Sequence, residues 1–234
     1  MLPTSPVRKN ILLAAIALGL LIPVVVIFLR ENMNTKIRGR KDLEGVAVPF
    51  IGEIPLFARR KKGLFRDKTA DVKAVVVREG CRDIINEAFR VLRTNLEFMT
   101  GKDRKSNVIV MTSFNPGSGK SFLTMNIAVS LAIKGKKVLV IDGDLRHGSS
   151  SAYVGSPKPD YLSGRVECLA DIIVTDKSHK HLDILPVGTI PPNPTELLFD
   201  DRLKQAIDAA REQYDYVLID CPPIELVADT QIIE

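Results

Sequence analysis

Apolar and polar positions divide the chain into an N-terminal part and a longer C-terminal part. From Ile11 to Leu29 the chain is apolar and carries no charge. A helix rises about 1.5 Å per residue, so this run is long enough to cross a hydrocarbon core roughly 30 Å thick. Pro23 lies within it, and membrane helices tolerate proline because other groups satisfy the freed backbone. The pattern predicts one transmembrane helix over residues 11–29.

A secretory signal peptide is the alternative interpretation, because Arg8 and Lys9 precede the run. No small-x-small cleavage site follows, since Phe28, Leu29 and Arg30 occupy that position, and this favours the membrane helix. Basic residues crowd the C-terminal flank: Arg30, Lys36, Arg38, Arg40 and Lys41. The positive-inside rule therefore places the larger part of the chain in the cytoplasm. A helix with its N-terminus outside, beginning this close to the first residue, predicts further sequence upstream.

Beyond a Pro- and Gly-containing stretch over residues 30–80, which we interpret as a linker, helical patterns appear. Apolar residues at three- and four-residue spacing predict a helix from Ile84 to Met99, and another runs from about Gly119 to Lys134. A third helix begins with Asn193 as N-cap and Pro194 at the first helical position. Its apolar stripe is Phe199, Leu203, Ile207 and Ala210.

Short β-branched runs lie between these helices. The predicted strands begin at Val108, Val138, Leu182 and Tyr216, and a short helix is expected near Leu169. Strands alternating with helices are typical of an α/β fold, in which helices cover both faces of a parallel sheet.

Charge and cysteine content change this picture little. The formal net charge of +5 could suit nucleic acid, but many basic residues flank the apolar run, so no nucleic-acid partner is predicted. The cysteines, Cys81, Cys168 and Cys221, form no C-x-x-C pair, and their odd number disfavours a disulfide framework. The histidines, His147, His179 and His181, lack companions at metal-ligand spacing.

Candidate chemistry begins with the loop Asn115–Ser121, which follows a predicted strand and opens a helix. Gly117 and Gly119 allow backbone N–H groups to turn toward phosphate oxygens, Lys120 can reach the β and γ phosphates, and the Ser121 hydroxyl can ligate Mg²⁺. Phe114 stands where the standard G-x-x-x-x-G-K-S loop has its first glycine. The loop alone is therefore a weak signal.

Acidic residues at two later strand ends strengthen it. Asp142 ends the strand at Val138 and Asp144 follows two residues later, and Asp220 ends the strand at Tyr216. Each could simply cap a turn. The carboxyl ends of parallel strands meet at one edge of a sheet, where nucleotides bind, so together with the loop they predict a Mg²⁺-nucleotide site.

At this point the chain resembles the bacterial tyrosine autokinases of capsule and exopolysaccharide export, which belong to the P-loop NTPase superfamily. Three segments carry the resemblance: SFNPGSGKS at Ser113, VIDGDLR at Val140 and VLIDCPP at Val217, similar to the family's Walker A, A′ and B motifs. GTIPPNPTELL at Gly188 and EAFRVLRTNLEF at Glu87 are also similar. Ser118 replaces a glutamate often seen in the family, and the family's tyrosine-rich C-terminal tail has no counterpart, so the kinase domain is expected to be C-terminally incomplete.

The resemblance implies roles for individual residues, with ATP and Mg²⁺ as cofactors. Lys120 and Asp142 would be catalytic, with Asp142 activating the attacking tyrosine hydroxyl. Ser121, Asp144 and Asp220 would hold the metal. The nucleotide would be bound by Pro116, Gly117, Ser118, Gly119, Lys120, Ser121 and Phe122.

The resemblance also implies partners and domain limits. Glu87, Arg90 and Arg93 would form an interface in a homo-oligomeric ring in which neighbours phosphorylate each other, although an ion pair within one helix is the simpler alternative. Residues 1–10 would end an extracytoplasmic chain-length-determinant region, 11–29 would span the inner membrane, 30–80 would link, and 81–234 would be the kinase domain. The polysaccharide export machinery would be a further partner.

Two other functions fit parts of the sequence. A membrane-tethered ATPase switch of the division-site or plasmid-partition type would have K-G-G-x-G-K in its loop, where this chain has Asn115 and Pro116. A non-catalytic regulator of polysaccharide chain length would bind nucleotide only as a switch. A eukaryotic-type kinase is disfavoured because neither H-R-D nor D-F-G occurs.

Overall fold

The computed structural model describes residues 8–33, 39, 43, 45–55, 75–101, 105–144, 150–155, 171–187 and 201–224. The chain divides into two compact units, Met1–Phe50 and Ile51–Glu234.

The N-terminal unit contains helix α1, Arg8–Asn32, with Pro23 inside it. Its stretch Lys9–Asn32 is long and apolar enough to cross a membrane by length and composition, and its most apolar part is not buried inside the protein. Large side chains such as Leu20 and Phe28 are exposed along it. The predicted apolar run of residues 11–29 therefore lies within one continuous helix.

A five-stranded sheet forms the centre of the second unit, in the order β1-β5-β2-β4-β3. The strands are β1 Asn107–Met111, β2 Val138–Asp142, β3 Val174–Thr175, β4 Leu182–Leu185 and β5 Tyr216–Asp220. The strands β1, β5, β2 and β4 pair in parallel, as predicted, whereas β3 lies antiparallel to β4 at one edge. The prediction missed β3 because two residues carry no alternating pattern.

Among the described residues, three α-helices accompany this sheet: α2 Ile84–Thr100, α3 Lys120–Ile133 and α4 Asp201–Gln213. A short 3-10 helix spans Ser151–Val154. The observed bounds of α2 and α3 agree with the prediction to within one residue. The predicted start of α4 at Asn193 and the short helix near Leu169 lie outside the described residues.

The core has two layers because side chains of a strand alternate between the faces of the sheet. Val138 and Val140 of β2 join the cluster under α2 and α3, whereas Leu139 and Ile141 join the cluster under α4. The neighbouring strand β5 repeats this alternation, with Leu218 on the first face. Helices on both faces of a mostly parallel sheet are thus confirmed.

Helix α2 packs through buried side chains that include Phe89 and Leu96. Asp83 caps its N-terminus by accepting a hydrogen bond from the Asn86 backbone N–H at 2.8 Å. The ring of Phe89 meets Phe122 of α3 edge to face, with centroids 6.0 Å apart. The amphipathic helix predicted from the sequence is thereby placed against the helix that follows the predicted phosphate-binding loop.

Part of the predicted linker packs on the second unit. Val77 is buried, and the backbone N–H groups of Val76 and Val77 donate to Asn126 Oδ1 at 2.8 and 3.1 Å. The Arg78 N–H donates to Asn86 Oδ1 at 2.8 Å. Residues 75–78 therefore belong physically to the sheet-containing unit, and the functional domain limits remain a prediction.

Candidate functional site

The loop between β1 and α3 has the backbone shape of an anion cradle. Gly117 and Gly119 adopt positive φ angles of 76° and 89°, which side-chain-bearing residues rarely adopt. Gly119 is the N-cap of α3 and forms no side-chain cap, so the first N–H groups of the helix have no side-chain acceptor there. Free N–H groups and the helix dipole together favour a bound anion such as phosphate.

Hydrogen bonds within the loop hold this shape. The Ser113 and Ser118 hydroxyls donate to the Asn115 carbonyl oxygen at 3.0 and 2.7 Å. Pro116 has no backbone N–H, so it can contribute only shape. The Phe122 side chain packs against the core, which leaves its backbone as the part that can face a ligand.

The predicted carboxylates meet at the carboxyl edge of the sheet. Asp142 and Asp220 are register partners at the ends of β2 and β5, and both are fully buried. Asp144, two residues beyond β2, is also buried. Gly143 lies so close to β5 that an added Cβ would be 3.3 Å from the Asp220 carbonyl oxygen. The structure thus brings together the acidic residues that the sequence placed at two separate strand ends.

Lys120 and Asp220 form a buried ion pair between Nζ and Oδ1. The other carboxylate oxygen, Oδ2, accepts a hydrogen bond from Ser150 Oγ at 2.6 Å. A buried charge is costly unless it is paired and hydrogen-bonded, and here both oxygens of Asp220 have a partner. The side chain of the loop lysine is thereby held against Asp220, for which the family resemblance implies a role as a metal ligand.

Ser151 makes two hydrogen bonds to one carboxylate oxygen of Asp142. Its backbone N–H and its hydroxyl both donate to Asp142 Oδ2 at 2.6 Å, while the Asp144 N–H donates to Oδ1 at 3.2 Å. Burial raises the pKa of Asp142 to about 7, and the hydrogen bonds from Ser151 act in the opposite direction. A carboxyl group with a pKa in this range can exchange a proton near neutral pH.

Sequence reasoning missed Ser150 and Ser151. They lie in an unremarkable serine run, and nothing in one sequence distinguishes a serine that contacts a carboxylate from one that faces solvent. Their positions follow from the turn into the 3-10 helix, which places the two hydroxyls on adjacent strand ends.

The predicted interface residues on α2 have different surroundings. Glu87 and Arg90 are exposed and pair with each other, with Arg90 Nε donating to Glu87 Oε2 at 2.9 Å. Arg93 instead donates from Nη1 to the Ser130 carbonyl oxygen of α3 at 2.7 Å. The intrahelical ion pair considered from the sequence is therefore present, and the interface itself stays a prediction.

The described residues include few side chains that could bind a metal ion together. Among them, no group of three or more His, Cys, Asp or Glu side chains is placed to hold a metal ion by itself. Mg²⁺ bound with a nucleotide needs only one or two protein carboxylates, because it keeps several waters and takes phosphate oxygens. The buried carboxylates beside an anion cradle fit that mode of binding.

Comparison with known proteins adds independent findings. Residues 106–233 match the AAA domain family. The chain is 34% identical over 239 residues to the tyrosine-protein kinase Wzc of Salmonella typhimurium, an alignment that covers 98% of this chain and 33% of that protein. The chain thus spans about a third of the length of the curated relatives it matches.

Two solved structures are similar over most of the chain. The kinase domain of the Escherichia coli tyrosine kinase Etk has a TM-score of 0.70 and 30% identity, covering 85% of this chain and 78% of that one. The chimerical protein CapA2B2 has a TM-score of 0.67 and 31% identity, covering 83% of this chain and 80% of that one. The similarity to these two structures therefore covers more of the chain than residues 106–233, which match the AAA domain family.

Proposed function

Because the chain belongs to the AAA domain family and to the bacterial tyrosine-protein kinases that include Etk, we propose that it is an ATP-dependent protein-tyrosine autokinase. In this proposal it regulates the polymerisation and export of capsular polysaccharide or exopolysaccharide. One observation carries it: Lys120, Asp142 and Asp220 converge at the sheet edge beside the N-terminus of α3.

The proposed nucleotide site consists of the loop residues 116–122. The α3 N-terminus and the loop N–H groups bind the phosphates of ATP, and Lys120 exchanges Asp220 for a phosphate oxygen. Ser121, Asp144 and Asp220 hold Mg²⁺. When bound, Mg²⁺ neutralises charge on the phosphate oxygens, which favours departure of ADP.

Asp142 serves as the proton acceptor in this proposal. The tyrosine oxygen attacks the γ-phosphorus of ATP, the bond between that phosphorus and the bridging oxygen breaks, and ADP leaves. The hydroxyl proton passes to Asp142, whose pKa of about 7 suits a base near neutral pH. Phosphoryl transfer depends mainly on positioning and charge stabilisation, and a buried, hydrogen-bonded carboxylate supplies both.

Location and assembly belong to the same proposal. Helix α1 spans the inner membrane, residues 30–80 link it to a cytoplasmic kinase domain over 81–234, and residues 1–10 end an extracytoplasmic region. Copies associate in a ring through α2, where Glu87, Arg90 and Arg93 lie, and one copy phosphorylates its neighbour. Exposed apolar side chains on α2 support such a contact: Ile84, Val91 and Phe98. The export machinery is the expected partner of the ring.

The test is transfer of phosphate to tyrosine. The full chain in lipid nanodiscs receives labelled ATP, Mg²⁺ and a tyrosine-rich acceptor peptide, and phosphotyrosine is quantified. We expect label on tyrosine that disappears in Lys120→Met and persists in Lys134→Met, which changes an exposed lysine at the far end of α3. Circular dichroism and size measurements establish that each preparation is folded and associated.

The alternative function predicts a different result. A non-catalytic nucleotide switch would bind Mg²⁺-ATP through the same loop and transfer nothing. Binding without phosphotyrosine, in folded and associated preparations, would reject the kinase proposal in favour of that switch.

A further inference from the structure

Two consecutive buried serines each contact a different carboxylate of the candidate site. Ser150 Oγ lies 2.6 Å from Asp220 Oδ2, and Ser151 Oγ lies 2.6 Å from Asp142 Oδ2. Hydroxyl–carboxylate separations of 2.5–2.7 Å, as a rough range, are typical of strong charge-assisted hydrogen bonds. Both serine side chains are almost fully buried, so water does not compete for these contacts.

The direction of the Ser151 hydrogen bond is determined by its neighbours. The Val187 backbone N–H donates to Ser151 Oγ at 2.9 Å, so this hydroxyl acts there as an acceptor. A serine hydroxyl carries one proton, which is therefore directed at Asp142 Oδ2. The Ser151 N–H donates to the same oxygen. Ser151 thus connects Asp142 to Val187, which follows β4, and restricts rotation of the carboxylate.

Ser150 makes an equivalent contact with Asp220. It occupies Oδ2, while Lys120 occupies Oδ1. When Lys120 moves to a phosphate oxygen, Oδ1 becomes available and Oδ2 remains hydrogen-bonded. The carboxylate is therefore kept in one orientation while its partner changes.

We propose that Ser150 and Ser151 are positioning residues for phosphoryl transfer, Ser151 acting through Asp142 and Ser150 through Asp220. This inference rests on the proposed function. Each serine fixes one carboxylate so that a single oxygen faces the ligand side. The simpler alternative is that both hydroxyls only satisfy buried carboxylates and stabilise the fold.

The two roles predict separable kinetic effects. Asp142 does not hold the nucleotide in the proposed mechanism, so Ser151→Ala is expected to lower kcat about tenfold with little change in KM for ATP, the loss that corresponds to one hydrogen bond to a charged group. Asp220 holds Mg²⁺, so Ser150→Ala is expected to raise several-fold the Mg²⁺ concentration needed for half-maximal nucleotide binding.

Ser130→Ala provides the matched control. Ser130 is a buried serine of α3 whose hydroxyl lies 3.4 Å from Arg93 Nη1 and contacts none of the three carboxylates in the structure. The Ser130→Ala variant also loses one buried hydroxyl, and we expect its kcat and Mg²⁺ requirement to equal those of the unmodified chain. All variants are measured as full chains in nanodiscs, with melting temperatures recorded alongside.

Further variants keep the test decisive. If the alanine variants melt below the assay temperature, Ser150→Cys and Ser151→Cys replace them, because a thiol is similar in size but a weak donor. In an Asp220→Asn background, Ser150→Ala should cause no additional loss of Mg²⁺-dependent binding. Independent, additive losses would overturn the assignment of Ser150 to Asp220.

The outcomes separate this inference from the kinase proposal. Folded serine variants with the same kcat and Mg²⁺ requirement as Ser130→Ala would overturn the positioning role even if the chain is a kinase. If the unmodified chain binds Mg²⁺-ATP but transfers no phosphate, the kinase proposal and the Ser151 role fail together. The Ser150 role is then decided by the Mg²⁺ dependence of nucleotide binding alone.

Discussion

Burial controls the chemistry of individual side chains at the carboxyl edge of the sheet. Cys221 directly follows Asp220 and is fully buried. Desolvation raises the pKa of its thiol to about 12; the positive charge of Lys120 acts against this rise, and the neighbouring carboxylates reinforce it. The thiolate is the reactive form of cysteine. Cys221 is therefore expected to be inert, although it lies beside the candidate site.

Alkylation tests this expectation. At pH 8 a thiol with a pKa of about 12 is ionised in roughly one molecule in ten thousand. Iodoacetamide should therefore modify the exposed Cys81 far faster than Cys221 in the folded chain, and both at similar rates after denaturation. Peptide mass spectrometry over a time course measures the two rates. Comparable rates in the folded protein would contradict the assigned burial.

At the residue scale, order along the chain carries enough information to select candidate residues, and their catalytic and metal-binding roles stay predictions. Lys120, Asp142 and Asp220 were found because a glycine-rich loop and two apolar runs ending in aspartate occur in the expected order. Ser150 and Ser151 were not found, because their role depends on contacts created by packing. The hydrogen bond from Ser150 to Asp220 joins residues 70 positions apart.

At the element scale, the length and regularity of a pattern decided what could be predicted. Strands β2 and β5 are uninterrupted apolar runs, and all five residues of each are buried. Their first residues, Val138 and Tyr216, were predicted correctly. The segment Val75–Arg78 was interpreted as part of a linker, because its partner Asn126 lies about 50 residues later in the chain. The local amino-acid composition does not indicate a contact between residues so far apart in the chain.

The segment Val75–Arg78 should detach when Asn126 is changed. Its Oδ1 accepts from the N–H groups of both Val76 and Val77, and its Nδ2 donates to the Phe122 carbonyl oxygen at 2.8 Å. Asn126→Ala leaves these groups without their partner. We expect the free energy of unfolding to fall by about 1–3 kcal/mol, the cost of unsatisfied buried polar groups. Amide exchange at Val76 and Val77 should accelerate.

Asn95→Ala is a suitable comparison for this change. Asn95 also binds a segment that precedes α2 in the chain, but away from Val75–Arg78: its Nδ2 donates one hydrogen bond to the Ile51 carbonyl oxygen at 2.7 Å. Asn95→Ala should lower the free energy of unfolding by less than Asn126→Ala does, and it should leave amide exchange at Val76 and Val77 unchanged. Hydrogen exchange followed by mass spectrometry and urea unfolding provide both readouts. Unaltered exchange in Asn126→Ala would show that other contacts hold the segment.

At the scale of the whole molecule, the two compact units have different surfaces. The apolar side chains of α1 are exposed along the helix, as expected for a segment that lipid would cover. The second unit buries its apolar residues in two clusters, one on each face of the sheet. Exposed apolar side chains of this unit lie at Phe114 and Ile224 and on α2, and those on α2 share their helix with the exposed pair Glu87 and Arg90.

This arrangement gives α2 the character of a contact surface, and a closely similar ion pair on α4 allows a controlled test. Arg211 and Asp208 are also exposed and three residues apart. The other exposed positions around them are small or polar: Lys204, Gln205, Ala209, Glu212 and Gln213. Solvent screens both pairs, so neither should contribute much to the stability of a single copy.

Arg90→Ala and Arg211→Ala remove the same charge from equivalent helical positions. If α2 mediates self-association, Arg90→Ala should shift the full chain in nanodiscs or detergent toward smaller assemblies, and Arg211→Ala should not. Light scattering after size exclusion measures the masses, and melting temperatures should be equal for the two variants. Equal dissociation by both would indicate a general charge effect. Unchanged assemblies in Arg90→Ala would place the contact between copies on a surface that does not depend on Arg90.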